Sequence, residues 1–240
     1  PIEAANENWL HDSIVEIINV VHIKLDAHQA LPNCQAEWEA LVPNTLSAEN
    51  RDNLIKARGV RDRIFTYKDS VSNLNQADRK MVFSALEGQN QIADLVSGIR
   101  NIDDIDIVYP NVKTAAHNLF VFCYGKLSDF EVRDRQYQII FDYLETKICP
   151  FCGIERVMNP EETAQDQDHY LAKSIYPFAA VNMRNLVPMC RCCNRDYKKN
   201  IDMLRTTDGQ RRIAFDPYAC VPPTISLLNS IIDETISPPI

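Results

Sequence analysis

Apolar residues recur every three or four positions through most of the first 146 residues, which is the spacing of one buried helical face. The clearest stretch predicts a first helix of about 20 residues. Its apolar positions are Leu10, Ile14, Ile17, Val21 and Leu25. This texture predicts a mainly α fold.

Local start signals place the later helices. Ser47 is a good N-cap residue and predicts the start of a second helix. That helix would bury Leu54, Ile55, Ile64 and Phe65. Further helices are predicted over about 76–100 and 111–126, and the residues Ser128 to Glu131 match a capping box, which predicts another helix start.

The texture changes near residue 146, where Pro, Cys and short apolar runs replace helical periodicity. We therefore expect a helical region over 1–146, a second region over 147–212 and a C-terminal arm over 213–240. Because a helix runs into the second region, we expect one packed unit and not two domains on a flexible linker.

Composition narrows the class of protein. The chain has 240 residues, of which 45% are hydrophobic and 24% charged, which is typical of soluble globular proteins. Only 6 residues are Gly, which disfavours the many tight turns of a β-sandwich or barrel. No apolar run reaches the roughly 20 residues that span a bilayer, so we expect no membrane association and a cytoplasmic location.

Charge is distributed unevenly. The formal net charge is −8, but residues 169–212 hold nine Lys and Arg against three Asp, a net of +6. A local positive excess of this kind favours a polyanionic partner, so this segment is where we expect nucleic acid to bind.

Two cysteine pairs have the spacing of metal ligands. Cys149 and Cys152 are separated by two residues, as are Cys190 and Cys193. In a reducing compartment, four such thiolates favour a closed, structural Zn²⁺ site over disulfides. Cys192 is an alternative to Cys193, although the two-residue spacing favours Cys193.

The sequence between the pairs resembles the HNH, or ββα-metal, endonuclease family. The resemblance covers about residues 147–205 and rests on Asp168-His169, Asn185-Leu186-Val187-Pro188 and Cys193-Asn194 in that order. It implies a zinc-braced ββα-metal module, in which a strand at 186–187 pairs with one near 168–171 and a helix over 193–204 follows. Two positions differ from many relatives: Asn194 stands where His is frequent, and Ala172 where Pro is frequent.

The resemblance also implies roles for single residues. His169 would activate the attacking water, and Asn185 would position it by bonding to the loop or to the imidazole. Asp168 and Asn194 offer oxygen ligands, which suit catalytic Mg²⁺ or Mn²⁺. The candidates for phosphate contact are Lys173, Arg195, Lys198 and Lys199, with a solvated helix face as the alternative for the two adjacent lysines.

Three functional hypotheses follow. The first is an active metal-dependent endonuclease, with DNA favoured over RNA. The others are an inactive zinc-braced module that binds nucleic acid or protein, and an RNA-cleaving nuclease directed at a target such as tRNA. The layout of a helical region before such a module is similar to the HNH subunit of Septu-type and retron-associated anti-phage systems, which implies an SMC-like ATPase as protein partner.

Overall fold

In the computed structural model, residues 1–103, 105, 109–161 and 167–219 are described, and eight α-helices dominate them. The C-terminal arm predicted over 213–240 therefore lies outside the described residues from 220 onward. The helices are α1 (Trp9–Asp26), α2 (Gln35–Leu41), α3 (Ala48–Lys56), α4 (Arg58–Ser72), α5 (Gln76–Asn90), α6 (Ile92–Ser97), α7 (Pro110–Asp129) and α8 (Val132–Tyr143). The prediction of a mainly α chain is confirmed.

The first helix forms as its apolar stripe predicts, with Leu10, Ile14 and Ile17 buried. Ser47 caps α3, since its side chain accepts a hydrogen bond from the Asn50 main chain at 3.1 Å. The single helix expected after Ser47 is instead two helices, because the chain breaks at Ala57.

The predicted helix start at Ser128 is wrong. α7 runs through Ser128 to Asp129, and α8 begins at Val132 after Glu131, which has a left-handed φ of 57°. The helix α2 was not predicted. It is held by Trp38, which is fully buried, and by a capping interaction between Cys34 and Glu37.

The second region contains very little regular structure. Strands β1 (Asp168–His169) and β2 (Leu186–Val187) form a two-stranded antiparallel sheet, with 3₁₀ turns at Pro177–Ala179 and Met183–Asn185. A π-helical segment follows over Cys192–Lys198, so the α-helix expected over 193–204 is not observed.

The two regions share a hydrophobic core. Phe178, Ala180 and Met183 are buried in the same cluster as residues of α1, α4, α5 and α7. A second cluster surrounds Cys149 and Cys190 and includes side chains of α6 and α8. The helices and the sheet are therefore one packed body.

Polar side chains of the helices also hold the loop between the strands. The Phe178 main-chain N–H donates to the Gln89 side chain at 3.1 Å, and the Asn182 side chain donates to that of Asn90 at 3.1 Å. The Gln136 side chain donates to the Met183 carbonyl at 2.7 Å. None of the helices in the described ranges combines the length and apolarity needed to cross a membrane.

Candidate functional site

The first cysteine pair lies on a tight turn. The Cys149 N–H donates to the Glu155 carbonyl at 2.7 Å, and the Gly153 N–H donates to the Cys149 carbonyl at 2.9 Å. Gly153 has a φ of +66°, a conformation that costs glycine little and other residues more. This turn aims both sulfurs of the pair to one side.

The two pairs converge, as their spacing predicts. The sulfurs of Cys149, Cys152, Cys190 and Cys193 all lie within 4.8 Å of one another. The Cys149 to Cys193 separation is 4.0 Å, and the Cys152 to Cys190 separation is 3.8 Å. A tetrahedral ion with Zn–S bonds of about 2.3 Å requires sulfur separations of about 3.8 Å, so the four cysteines could hold a zinc ion.

Main-chain N–H groups favour thiolates in this cluster. Those of Glu155 and Ile154 lower the pKa of Cys152 to about 7. The Cys190 N–H lies 3.4 Å from the Cys149 sulfur, and the Cys193 N–H lies 3.4 Å from the Cys190 sulfur. Burial raises the pKa of Cys190 and Cys193, so a bound cation is needed to hold all four sulfurs as thiolates.

Asp168 and His169 lie on β1 and pair with β2. Asp168 is opposite Val187 and His169 is opposite Leu186, and all four residues are buried. The strand pairing expected from the sequence is present, although β1 is shorter than the expected 168–171.

Asn185 fastens the loop that follows β1. Its side-chain oxygen accepts from the Leu171 N–H at 2.7 Å, and its side-chain nitrogen lies 3.1 Å from both the Leu171 and the Ala179 carbonyls. The side chain is fully buried. Of the two contacts considered from the sequence, Asn185 makes the one with the loop.

That loop orients the His169 ring. The Nε2 atom lies 3.0 Å from the Ala180 carbonyl oxygen. Because a carbonyl only accepts hydrogen bonds, this contact requires the proton on Nε2 and leaves the Nδ1 lone pair as the basic site. Burial, and secondarily the charge of Lys173, lowers the pKa of His169 to about 3, so the ring is neutral at physiological pH.

Lys198 joins the sheet to the π-helical segment. Its amine lies 2.7 Å from a carboxylate oxygen of Asp168 and donates to the His169 carbonyl at 2.7 Å. Burial raises the pKa of Asp168, and the charge of Lys198 opposes this shift. The sequence placed Lys198 among the phosphate-contacting or solvated lysines, but the structure buries it.

Asn194 lies on the same segment, four residues before Lys198. The Lys199 N–H donates to the Asn194 carbonyl at 2.9 Å, an i to i+5 hydrogen bond that defines a π-helical turn. Residues four apart lie near one face of such a turn, so Asn194 shares the Lys198 face. Within the described residues, the side-chain amide of the partly exposed Asn194 has no hydrogen-bond partner.

The other basic candidates lie around this centre. The Lys173 amine lies 5.1 Å from the centre of the Tyr124 ring, beside His169. Arg195 is exposed on the π-helical segment, and Lys199 is exposed directly after its end. The structure therefore brings Asp168, His169 and Lys198 into direct contact and leaves these three cations on the periphery.

Sequence reasoning missed Tyr124, which lies on α7. Its ring packs on the imidazole of His169, with centroids 4.4 Å apart at 59°. Its hydroxyl donates to the Gln167 carbonyl at 3.3 Å and accepts from Arg133 at 3.3 Å. No motif surrounds Tyr124, and only its place on an amphipathic helix could have suggested that it faces inward.

No protein-family model, curated protein or solved structure matches this chain. Two features of the structure bear on function. These are the four-cysteine cluster and the contacts among Asp168, His169 and Lys198.

Proposed function

We propose that the chain is a metal-dependent endonuclease of the HNH type that hydrolyses phosphodiester bonds in nucleic acid, DNA in preference to RNA. The orientation of His169 carries this proposal. Its Nε2 proton is hydrogen-bonded to the Ala180 carbonyl, and its neighbour Asp168 contacts Lys198 of the π-helical segment. A fixed base is thereby held beside an oxygen ligand, as water-mediated hydrolysis requires.

The chemistry assigned to His169 is proton removal at Nδ1. A neutral imidazole takes the proton of a water molecule lying between the ring and the substrate phosphorus. The pKa of about 3 describes the site without substrate. A bound phosphate brings negative charge beside the ring, which stabilises the imidazolium that forms.

Asp168 and Asn194 would hold Mg²⁺ or Mn²⁺. When bound, the cation supplies stabilisation of negative charge on the phosphate and the leaving oxygen. The Asp168 carboxylate and the His169 carbonyl already accept one cation, the Lys198 ammonium. Lys198 must give up the carboxylate to a metal, and its amine is then available to the substrate phosphate.

The zinc assigned to the four cysteines has a separate, structural role. A closed tetrahedral site binds no substrate. It would hold the turn around Gly153 against the start of the π-helical segment, and so fix Asn194 and Lys198 relative to β1.

The helical region is assigned to a protein partner. Residues 1–146 hold 22 acidic against 14 basic residues, a balance that repels nucleic acid. We assign the chain to an anti-phage defence complex, as the nuclease subunit beside an SMC-like ATPase. Co-purification with a co-expressed ATPase of this class supports the assignment, whereas full activity of an isolated monomer opposes it.

Plasmid nicking in Mg²⁺ tests the nuclease proposal. His169→Ala should abolish nicking, whereas His28→Asn should retain it. His28 is an exposed histidine with a φ of 54°, a conformation that asparagine tolerates. Equal nicking by His169→Ala and the unaltered chain would remove His169 from the mechanism.

A second candidate function is an inactive zinc-braced module that binds nucleic acid. The ion pair between Lys198 and Asp168 favours it, because an ammonium occupies a carboxylate oxygen that a catalytic cation needs. Binding of nucleic acid without cleavage in either Mg²⁺ or Mn²⁺ would select this function.

A further inference from the structure

An open pocket of about 450 Å³ lies beside the candidate site. Lys198 lines it, and the amine of the same residue contacts Asp168 and His169. Cys193 of the cysteine cluster also lines it. The pocket is therefore next to the place where the scissile phosphate would lie, and its volume is within the range of small-molecule sites.

Aromatic rings form one wall of this pocket. The ring centroids of Phe151 and Phe215 are 5.7 Å apart, and those of Tyr170 and Phe215 are 5.8 Å apart. Tyr170 is buried, and its hydroxyl donates to the Phe215 carbonyl at 2.7 Å. This hydrogen bond fixes the wall before any ligand binds.

Tyr197 lines the pocket from the π-helical segment. It is 75% exposed, although it directly precedes the buried Lys198. An exposed tyrosine beside a fixed aromatic wall gives two surfaces on which a flat apolar ring can stack.

The positive charge around the pocket favours flat ligands that carry negative charge. Arg212 lines the pocket, as does Lys198, whose ammonium is paired with Asp168, and the surrounding segment 169–212 has a net charge of +6. Aromatic rings combined with cations are the chemistry that binds unpaired bases joined by phosphates. A base inside a duplex is stacked on its neighbours and cannot enter such a pocket unless it is extruded.

We propose that this pocket receives an unpaired nucleobase that flanks the scissile phosphate, so that the preferred substrate is a single strand or an unpaired loop. The inference rests on the proposed nuclease function, because that function makes nucleic acid the ligand of the chain. It adds a preference for unpaired over duplex nucleic acid, which the catalytic residues do not supply.

Binding without cleavage tests the inference. The 240-residue chain, loaded with zinc and with no Mg²⁺ or Mn²⁺ added, is titrated into a short fluorescent oligonucleotide, either single-stranded or annealed to its complement. We expect tighter binding of the single strand. Tyr197→Ala should weaken that binding by about 5- to 150-fold, the loss typical of one stacked base.

Two matched variants accompany it. Tyr197→Phe should keep the single-strand affinity, because the ring remains. Tyr143→Ala should also keep it, because this tyrosine is 66% exposed but does not line the pocket.

The outcomes separate the two proposals. If Tyr197→Ala binds the single strand as tightly as the unaltered chain, or if the duplex binds as tightly as the single strand, the pocket assignment is overturned even when plasmid is nicked. If the preference depends on Tyr197 but no nucleic acid is cleaved, the pocket assignment stands and the nuclease proposal fails.

Discussion

The amine of Lys198 lies 2.7 Å from the carboxylate of Asp168, with both side chains about nine-tenths buried. The two residues are 30 positions apart and belong to different elements, so this ion pair locks the π-helical segment onto β1. Two cations therefore compete for the Asp168 carboxylate. Lys198 holds it in the protein alone, and the metal ion would hold it during the proposed reaction.

Replacement of Lys198 by Met should expose this competition. Asp168 would lose its buried partner, and such losses typically cost 3–5 kcal/mol, so we expect a lower melting temperature. Added Mn²⁺ should then raise the melting temperature more in Lys198→Met than in the unaltered chain. Lys199→Met, at the exposed neighbouring position, is the control, and an equal Mn²⁺ effect in all three proteins would contradict a metal at Asp168.

Asn194→Ala should weaken the response to Mg²⁺ without unfolding the chain. One oxygen ligand is lost, while the four sulfurs are untouched, so the Mg²⁺ concentration for half-maximal cleavage should rise by about ten-fold or more. Zinc content and the circular dichroism spectrum should not change. Asn200→Ala, on the adjacent exposed turn, should leave the Mg²⁺ requirement unaltered; the same requirement in Asn194→Ala would exclude its amide as a ligand.

Elemental analysis should find about one zinc ion per chain. Cys190→Ser should lose that zinc and lower the melting temperature, because one of the four sulfurs is removed. Cys192→Ser should retain both, because the Cys192 thiol lies outside the cluster of four. A zinc-free chain as stable as the zinc-loaded chain would show that the cluster has no structural role.

Acidification should destabilise the helical region through its buried histidines. Burial lowers the pKa of His11 to about 4 and that of His22 to about 4, whereas an unfolded histidine titrates near 6.5. Between these values the unfolded chain binds more protons, so the free energy of unfolding falls as the pH drops from about 6.5 to 4. Each histidine contributes at most on the order of 3 kcal/mol to that fall.

Urea unfolding at pH 7 and pH 4.5 measures this dependence. His22→Gln can keep a hydrogen bond to Tyr67, which lies 3.0 Å from the His22 ring nitrogen, and it does not titrate. The fall in stability between the two pH values should therefore be smaller in His22→Gln than in His28→Gln. Both variants keep the same cysteines and carboxylates, so an equal fall in the two would show that His22 does not contribute.

The sequence predicted features that a recognisable local pattern marks. The stripe of α1, the Ser47 cap and the convergence of the cysteine pairs all follow from local spacing. The capping box at Ser128 failed because α7 continues to bury Leu127 and the chain reverses only at Glu131, where φ is positive. A local sequence pattern does not show whether the polar residues between two helices end the first helix or begin the second.

Contacts between residues that no motif marks could not be predicted. Nothing near Tyr124 indicates that its ring packs on His169, and a lysine beside another lysine gave no sign that one is buried and the other exposed. These contacts depend on how α7 and the π-helical segment meet the sheet. Tyr124 is 45 positions from His169 in the chain, and Lys198 is 29 positions from it.

The side chains of Gln89 and Asn90, at the end of α5, accept hydrogen bonds from Phe178 and Asn182. These two residues lie two positions before and two positions after Ala180. Ala180 in turn sets the tilt of the imidazole. A displacement of the end of α5 would therefore move the loop that orients the proposed base. The end of α5 and the proposed base are thus joined through this loop, so a change in the position of Gln89 or Asn90 would alter the orientation of the His169 ring.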